Sequence, residues 1–428
     1  MRHRKLTPAL TRFVTSPLRR RAIRHVAELR RRIARRPHEV HYFHRVDDPY
    51  CHLMLQALPD LQQRFNVTVI PHVIEKLQRQ MYPAPDMLSA YSATDAKRLA
   101  RLYRLQFPQI VPGAAPVERE KASRALVART GSAQFFEEAL AIGTAYWSGA
   151  DVADSVDPMR DKSGLRADEA LLDKLGHYAT AMLYYGGEWY WGLDRLDHLE
   201  RRLLELGLAR DVHESVYYDR TWRGLLDPIG NPADRRNLEY FFSARSPYSY
   251  LGFFQARRFA AAHGLELELK PVLPMVMRGM AVPLAKRVYI LTDAKREAEK
   301  IGLAFGNIVD PIGPGIERAY AVAHWAGGGS ALEAFFASLL PAIAADAIDV
   351  AGERGLRKVV ARAGLDWQSA RQALTGESWR DWVTGHRDDM TALGLWGVPC
   401  LKYGNTVAWG QDRFWVIREA IVKEDNRV

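Results

Sequence analysis

The sequence predicts an α/β protein made of two copies of one domain behind a basic helical arm, and three observations predict it. His41 to Cys51 reads HYFHRVDDPYC and Glu239 to Ser249 reads EYFFSARSPYS, so Tyr42, Phe43, Pro49 and Tyr50 meet Tyr240, Phe241, Pro247 and Tyr248 at an offset of 198. The same offset aligns Thr94–Arg98 with Thr292–Arg296, both TDAKR, and Phe107 with Phe305. Near the end of each half, Trp191-Gly192-Leu193-Asp194-Arg195 meets Trp409-Gly410-Gln411-Asp412-Arg413 at an offset of 218. Landmarks that recur in one order are the mark of a duplication. They set the halves at residues 38–208 and 237–422, joined by a linker at 209–236 whose Asp227-Pro228-Ile229-Gly230-Asn231-Pro232 run is rich in chain breakers.

Each half opens with an aromatic, apolar run fit for a buried strand, Val40 to His44 and Leu238 to Phe242. A Pro-containing turn and an apolar-periodic helix follow, Leu53 to Phe65 and Leu251 to His263. A second strand is expected at Val67 to Val73 and Leu265 to Val272, then a long helical stretch. A short strand, Met182 to Tyr185 and Leu401 to Tyr403, leads through a Gly-containing turn to a final helix. This alternation predicts helices on both faces of a sheet.

Charge is concentrated at one end. The chain carries a net +10, yet Met1 to Arg36 alone holds 13 Lys and Arg against the single acid Glu28. The remaining body is therefore near neutral at −2, which argues against a nucleic-acid-binding enzyme and for no specific nucleic-acid partner. Within this arm (residues 1–37), Leu18, Ala22, Val26, Leu29 and Ile33 share one helical face, with arginines on the others. Such a helix either docks its apolar stripe on the domain behind it or makes weak contact with a polyanion or a membrane surface. The arm lacks the uninterrupted apolar run of a secretory or twin-arginine signal, and the longest apolar stretch, Leu332 to Val350, is broken by Glu333, Pro341, Asp346 and Asp349. A cytoplasmic protein is expected. Two cysteines in 428 residues exclude a disulfide framework and a four-cysteine metal site, and no metal is expected.

The candidate chemistry lies in the second half. Ser246-Pro247-Tyr248-Ser249 joins the first strand to the first helix, where backbone N–H groups and the positive helix end converge. A hydroxyl there can donate to a thiolate that the helix end also favours, so a bound thiol loses its proton more easily. The same tetrapeptide reads equally as a plain serine N-cap with proline at the first helical position. In Gly397-Val398-Pro399-Cys400, an X-Pro bond at a strand entry can be cis, which would turn the N–H and C=O of Val398 toward a peptide-like ligand. After that strand, Asp412 can hold a ligand ammonium, or cap a helix and pair with Arg413.

Taken in order, these features resemble the DsbA-like thioredoxin-fold family, in its 2-hydroxychromene-2-carboxylate isomerase and kappa-class glutathione transferase branch. The resemblance spans residues 237–422. It rests on the SPYSYL helix start, Lys270-Pro271-Val272-Leu273, Lys286-Arg287-x-Tyr289-x-x-x-Asp293, the GVP turn and the WGQDR signature. It implies two tandem thioredoxin-like domains of the DsbA/kappa type, each with a helical insertion, the second holding glutathione. Ser246 would lie against the sulfur, with Pro247, Tyr248 and Ser249 of the same helix start also contacting glutathione. The backbone of Val398 before Pro399 would pair with the tripeptide, and Gln411 and Asp412 would hold its γ-glutamyl end. The implied activity is a glutathione-dependent isomerase or transferase acting on a small aromatic electrophile. Two departures stand out: the stretch Gly279 to Pro283 lacks the family's Asn, and Cys400 follows the proline where Thr is usual.

The first half has lost more of the pattern. Asp48-Pro49-Tyr50-Cys51 puts an acid where Ser246 stands, and Thr180-Ala181 replaces Val398-Pro399. It reads as a degenerate copy that packs on or shapes the site of the second. Two alternatives remain open at this level: a DsbA-like thiol oxidoreductase using Cys51 or Cys400, and a non-catalytic tandem scaffold.

Overall fold

Residues 2–109, 116–152, 158–229 and 237–425 are described by a computed structural model, in which the chain divides into two units. One comprises Arg20–Arg223, the other Met1–Arg19 together with Gly224–Val428. The basic arm is thus shared between them and does not stand as a separate segment. Its helices are α1 (Arg2–Val14) and α2 (Pro17–Ile33). In the C-terminal unit, the buried Thr11 hydroxyl of α1 accepts the N–H of Ile308 at 3.1 Å and Arg12 donates to Asn307 at 2.9 Å. In the N-terminal unit, Arg24 of α2 pairs with Glu188 at 2.7 Å and with Glu205 at 3.2 Å. Ile23 packs on Gly187, whose φ of +89° and missing Cβ leave room for it.

The N-terminal unit continues with β1 (Glu39–His44), α3 (Pro49–Arg64) and β2 (Thr68–Val73). A helical block follows, α4 (Pro85–Tyr103), α5 (Pro116–Val127), α6 (Phe135–Ser148) and α7 (Pro158–Lys174). A hairpin of β3 (Met182–Tyr185) and β4 (Glu188–Trp191) then leads into α8 (Leu196–Glu205). The C-terminal unit repeats the plan with β5 (Leu238–Phe242), α9 (Pro247–His263), β6 (Leu267–Pro271) and α10 (Leu284–Lys300). Its block comprises α11 (Pro314–Ala326), α12 (Gly329–Ala344), α13 (Glu353–Arg362), α14 (Trp367–Gln372) and α15 (Trp379–Ala392). The hairpin β7 (Cys400–Tyr403) and β8 (Thr406–Trp409) leads to α16 (Phe414–Asp425).

Both sheets have four strands in the same order, β2-β1-β3-β4 and β6-β5-β7-β8. In each, the first two strands are parallel and the hairpin is antiparallel. The registers follow the sequence offsets: Val40 opposite Val69 becomes Leu238 opposite Leu267, and Met182 opposite Trp191 becomes Cys400 opposite Trp409. Side-chain bonds repeat as well. Tyr42 donates to the Cys51 carbonyl at 3.1 Å and Tyr240 to that of Ser249 at 2.8 Å. Tyr50 reaches Asp95 at 2.9 Å and Tyr248 reaches Asp293 at 2.7 Å. The fully buried Tyr42, Phe43, Tyr240, Phe241 and Phe242 anchor the two cores, as their aromatic runs predict. Each contributes about 1.5–3 kcal/mol of burial.

The structure departs from the sequence reading in three places. The strands β4 and β8 lie where a turn and a final helix are expected, and Trp191 and Trp409 end strands. Residues 209–222 of the expected linker are built into the N-terminal unit, where Tyr218 is buried and Glu214 pairs with Arg64 at 2.8 Å, while Gly230-Asn231-Pro232 lies outside the described residues. The apolar stripe of α2 is not docked: Leu18, Val26, Leu29 and Ile33 are all exposed. Among the described residues no helix is long and apolar enough to cross a membrane, and no cluster of ligating side chains suits a metal.

Candidate active site

The chain leaves β5 at Phe242, turns through Ser243-Ala244-Arg245, and enters α9 at Ser246. Ser246 is half-buried and extended (φ −81°, ψ 122°), and its Oγ accepts the N–H of Ser249 at 3.2 Å. That bond uses an oxygen lone pair, so the hydroxyl proton remains free to donate. Pro247 takes the first helical position, where no N–H is needed. The turn is held on three sides. Tyr320 accepts from the Ala244 N–H at 3.1 Å and donates to the Val272 carbonyl at 2.9 Å. Arg245 forms a two-pronged pair with Asp310, both arms at 2.7 Å. Ser249 is fully buried and its Oγ accepts the N–H of Ser243 at 3.2 Å.

That last contact reassigns Ser249, expected to touch glutathione: it faces inward and ties the turn to the helix. Tyr248 also turns to structure, because its hydroxyl donates to the buried Asp293, which Arg296 pairs at 2.9 Å.

Val398-Pro399 is cis, as its place at a strand entry suggested. Phe241 is paired with Cys400, so the same register carries Pro399 and Val398 past the end of β5 to the Ser243–Ser246 turn. Among the described residues neither the N–H nor the carbonyl of the half-buried Val398 has a hydrogen-bond partner. Gly397 is required here because a Cβ would strike the Trp409 ring. Gly410 donates to the Pro399 carbonyl at 3.0 Å, which brings the Gln411-Asp412 segment to this same end of the sheet. There the expected roles diverge. Gln411 is buried and donates to Glu297 at 3.0 Å, its Oε1 buried without a partner among the described residues, while Asp412 pairs with Arg413 at 3.1 Å. The first is a structural brace in this arrangement, and the second is only partly withdrawn, its side chain 10% exposed.

Two cations that the sequence reading assigned no role have their charge disfavoured by burial. Arg278 follows a short turn after β6 and donates through Nη1 to the Trp396 carbonyl at 3.1 Å, directly before the cis-proline turn. Among the described residues its Nε and Nη2 are buried without partners, and burial, then the charge of Arg387, lowers its pKa. The signal was legible: Pro274-Met275-Val276-Met277-Arg278-Gly279-Met280 is an apolar run with one charge in it. Lys286, on the first turn of α10, is pushed down to about 8 by burial.

Both cysteines are fully buried. Cys400 donates to the Gly397 carbonyl at 2.8 Å, and Cys51 accepts the N–H groups of Arg45 at 3.2 Å and Ala181 at 3.1 Å. Burial raises both thiols well above their ordinary pKa, with the charge of Asp48 adding to it at Cys51. Neither is the exposed, low-pKa thiol a monothiol oxidoreductase requires.

The equivalent place in the N-terminal unit is closed by its own side chains. Asp48 caps α3 by accepting from the Tyr50 N–H at 3.0 Å, and its other oxygen accepts the Thr180 hydroxyl at 2.6 Å. Ala181, standing where Pro399 does, has φ +55°.

A β-α-β unit followed by a β-β-α unit in one four-stranded sheet, with a capped helix after the first strand and a cis-proline entering the hairpin, defines a thioredoxin-type fold in the C-terminal unit. Within that class, residues 237–422 match the family model of the DSBA-like thioredoxin domain. A solved 2-hydroxychromene-2-carboxylate isomerase is similar at 19% identity, covering 44% of this chain and 96% of that one with a TM-score of 0.38. A probable DsbA oxidoreductase from Streptomyces coelicolor is similar at 19% identity over 45% and 89% of the two chains, with a TM-score of 0.35. No curated protein matches the chain.

Proposed function

We propose that the C-terminal domain is a glutathione-dependent isomerase or transferase acting on a small, aromatic electrophile, and that the N-terminal domain is a duplicated copy that has lost the site. The observation that carries this reading is the helix start. It keeps a thiolate-stabilising place but supplies serine at both positions of the dithiol pair, and both cysteines of the chain are sealed in cores. A thiol must then come from a ligand. Glutathione supplies a nucleophilic sulfur that adds to the electrophile and is later expelled. Ser246 donates a hydrogen bond to that sulfur while the N-terminus of α9 favours its negative charge. The free N–H and carbonyl of Val398 pair with the peptide backbone of the ligand, and the partly exposed Asp412 faces its ammonium. Arg278, with two unused donors beside the cis-proline turn, takes a carboxylate. This use of a reducing cofactor fits a cytoplasmic protein.

The shared strand order, the shared registers and the repeated tyrosine bonds support the reading of a duplicated copy. Its loss of function is supported by Asp48 and Thr180, which bond to each other at the positions equivalent to Ser246 and Val398. Isothermal calorimetry with glutathione tests the reading: millimolar or tighter binding is expected, weakened in Asp412→Ala, and no binding to the wild type overturns it.

A further inference from the structure

Among the described residues the apolar stripe of α2 is left exposed, because the helix is held by its opposite face. Arg24 and Ile23 point at the N-terminal unit and meet Glu188, Glu205 and Gly187. At 100° per residue, the line through Ala22, Val26, Leu29 and Ile33 lies about half a turn from Arg24. It faces outward, with Val26 at 44%, Leu29 at 50% and Ile33 at 75% exposure. The same spacing puts Arg21, His25 and Arg32 along one border of the line and Arg30 along the other, all exposed. The helix holds seven arginines against the one acid Glu28, which is bound within the helix by Arg31 at 2.7 Å and Arg32 at 2.6 Å.

We propose that α2 is a membrane-surface helix that lays this stripe into the headgroup layer of an anionic bilayer. Charge and apolarity point to one occupant. A bilayer surface accepts aliphatic side chains at its acyl boundary while phosphates meet the flanking guanidinium groups. A nucleic acid would answer the arginines but leave the leucine and isoleucine in water. The near-neutral body of the chain gives no general attraction, so the association belongs to the arm.

Point variants are the proper test, because deleting the arm would also strip α1 from the C-terminal unit. Full-length protein is sedimented with vesicles of phosphatidylcholine alone and of phosphatidylcholine with about a quarter phosphatidylglycerol. The expected result is at least about tenfold stronger partition onto the anionic vesicles, falling as salt rises. A Val26→Gln, Leu29→Gln, Ile33→Gln variant, which keeps every charge, is expected to lose about tenfold or more. Equal partition onto both vesicles overturns the proposal. So does a triple variant that binds like the wild type, since the arginines would then act alone. A wild type that is dimeric by light scattering and turns monomeric in the triple variant also overturns it, because a second copy would be what covers the stripe.

Discussion

Replacing Ser246 by glycine removes the hydroxyl and little else. Glycine is nearly as good an N-cap as serine, so the loss of the 3.2 Å bond from the Ser249 N–H costs only a few tenths of a kcal/mol of stability. The larger effect falls on a bound thiolate. A hydrogen bond to a charged group contributes about 1.5–3 kcal/mol, and a shift of one pKa unit corresponds to about 1.4 kcal/mol. The sulfur of bound glutathione should therefore titrate about one to two units higher in Ser246→Gly than in the wild type. The rise stops short of the free thiol because the end of α9 still contributes about 0.3–1 kcal/mol. The assay is the ultraviolet absorbance of the thiolate, followed against pH with the protein saturated, while calorimetry confirms that glutathione is bound to both forms. Superimposable titration curves with both proteins loaded would refute the role given to Ser246, and a wild type that does not bind would remove the premise.

Three further outcomes are expected. Arg278→Met should leave stability unchanged or raise it, because it removes a buried charge with two unmet donors. The same change should weaken binding of benzoate by about ten- to a hundredfold, the equivalent of a charge-assisted bond; a loss of stability with unchanged benzoate binding would make the arginine structural. Cys51 and Cys400 should resist iodoacetamide at neutral pH and label promptly in denaturant, and a thiol that reacts like free cysteine in the native protein would contradict its burial. Burial pushes His44 down to about 3 and His52 down to about 4, against about 6.5 in an unfolded chain. The folded state holds both rings neutral, so their stability is present above pH ~6.5 and drains as pH falls toward these values, at about 1.4 kcal/mol per unit for each ring. A urea midpoint that stays flat from pH 6.5 to 4.5, or falls no less steeply in His52→Asn, would count against this.

The two sequence offsets were sufficient to place equivalent strands in register, because a duplicated β-α-β unit keeps its side-chain alternation only if pairing is kept. The hairpin strands β4 and β8 escaped notice because each is four residues long, follows a Gly turn and ends in a motif that resembles a helix start. The inward turn of Ser249 is hidden in the sequence for a related reason. Its place in the tetrapeptide is visible in the sequence, but only the bond to the Ser243 N–H tells that it faces the core. Periodicity groups Leu18, Val26, Leu29 and Ile33 on one face of α2; it does not say whether that face meets the protein. Arg24 with Glu188 and Glu205, long-range pairs absent from any local pattern, decided it. Arg278 stands out in the sequence as the one charge in an apolar run, but its partner does not, since Trp396 lies 118 positions away.

The lodging of α1 in the C-terminal unit has a consequence for biosynthesis. Thr11 is made well ahead of its partner, because the amide it accepts from, that of Ile308, follows 297 positions later. Closing so long a loop costs only about 2 kcal/mol more than closing one of about twenty residues, so the completed contact is barely penalised. The delay is of another order. At about 5–20 residues per second, α1 leaves the ribosome roughly a quarter of a minute to a minute before its seat exists. The N-terminal domain must therefore fold while the helix ahead of it has nowhere to go. A tag or fusion placed before α1 would then be felt not by the domain beside it in sequence but by the Gly306–Ile308 loop of the C-terminal domain.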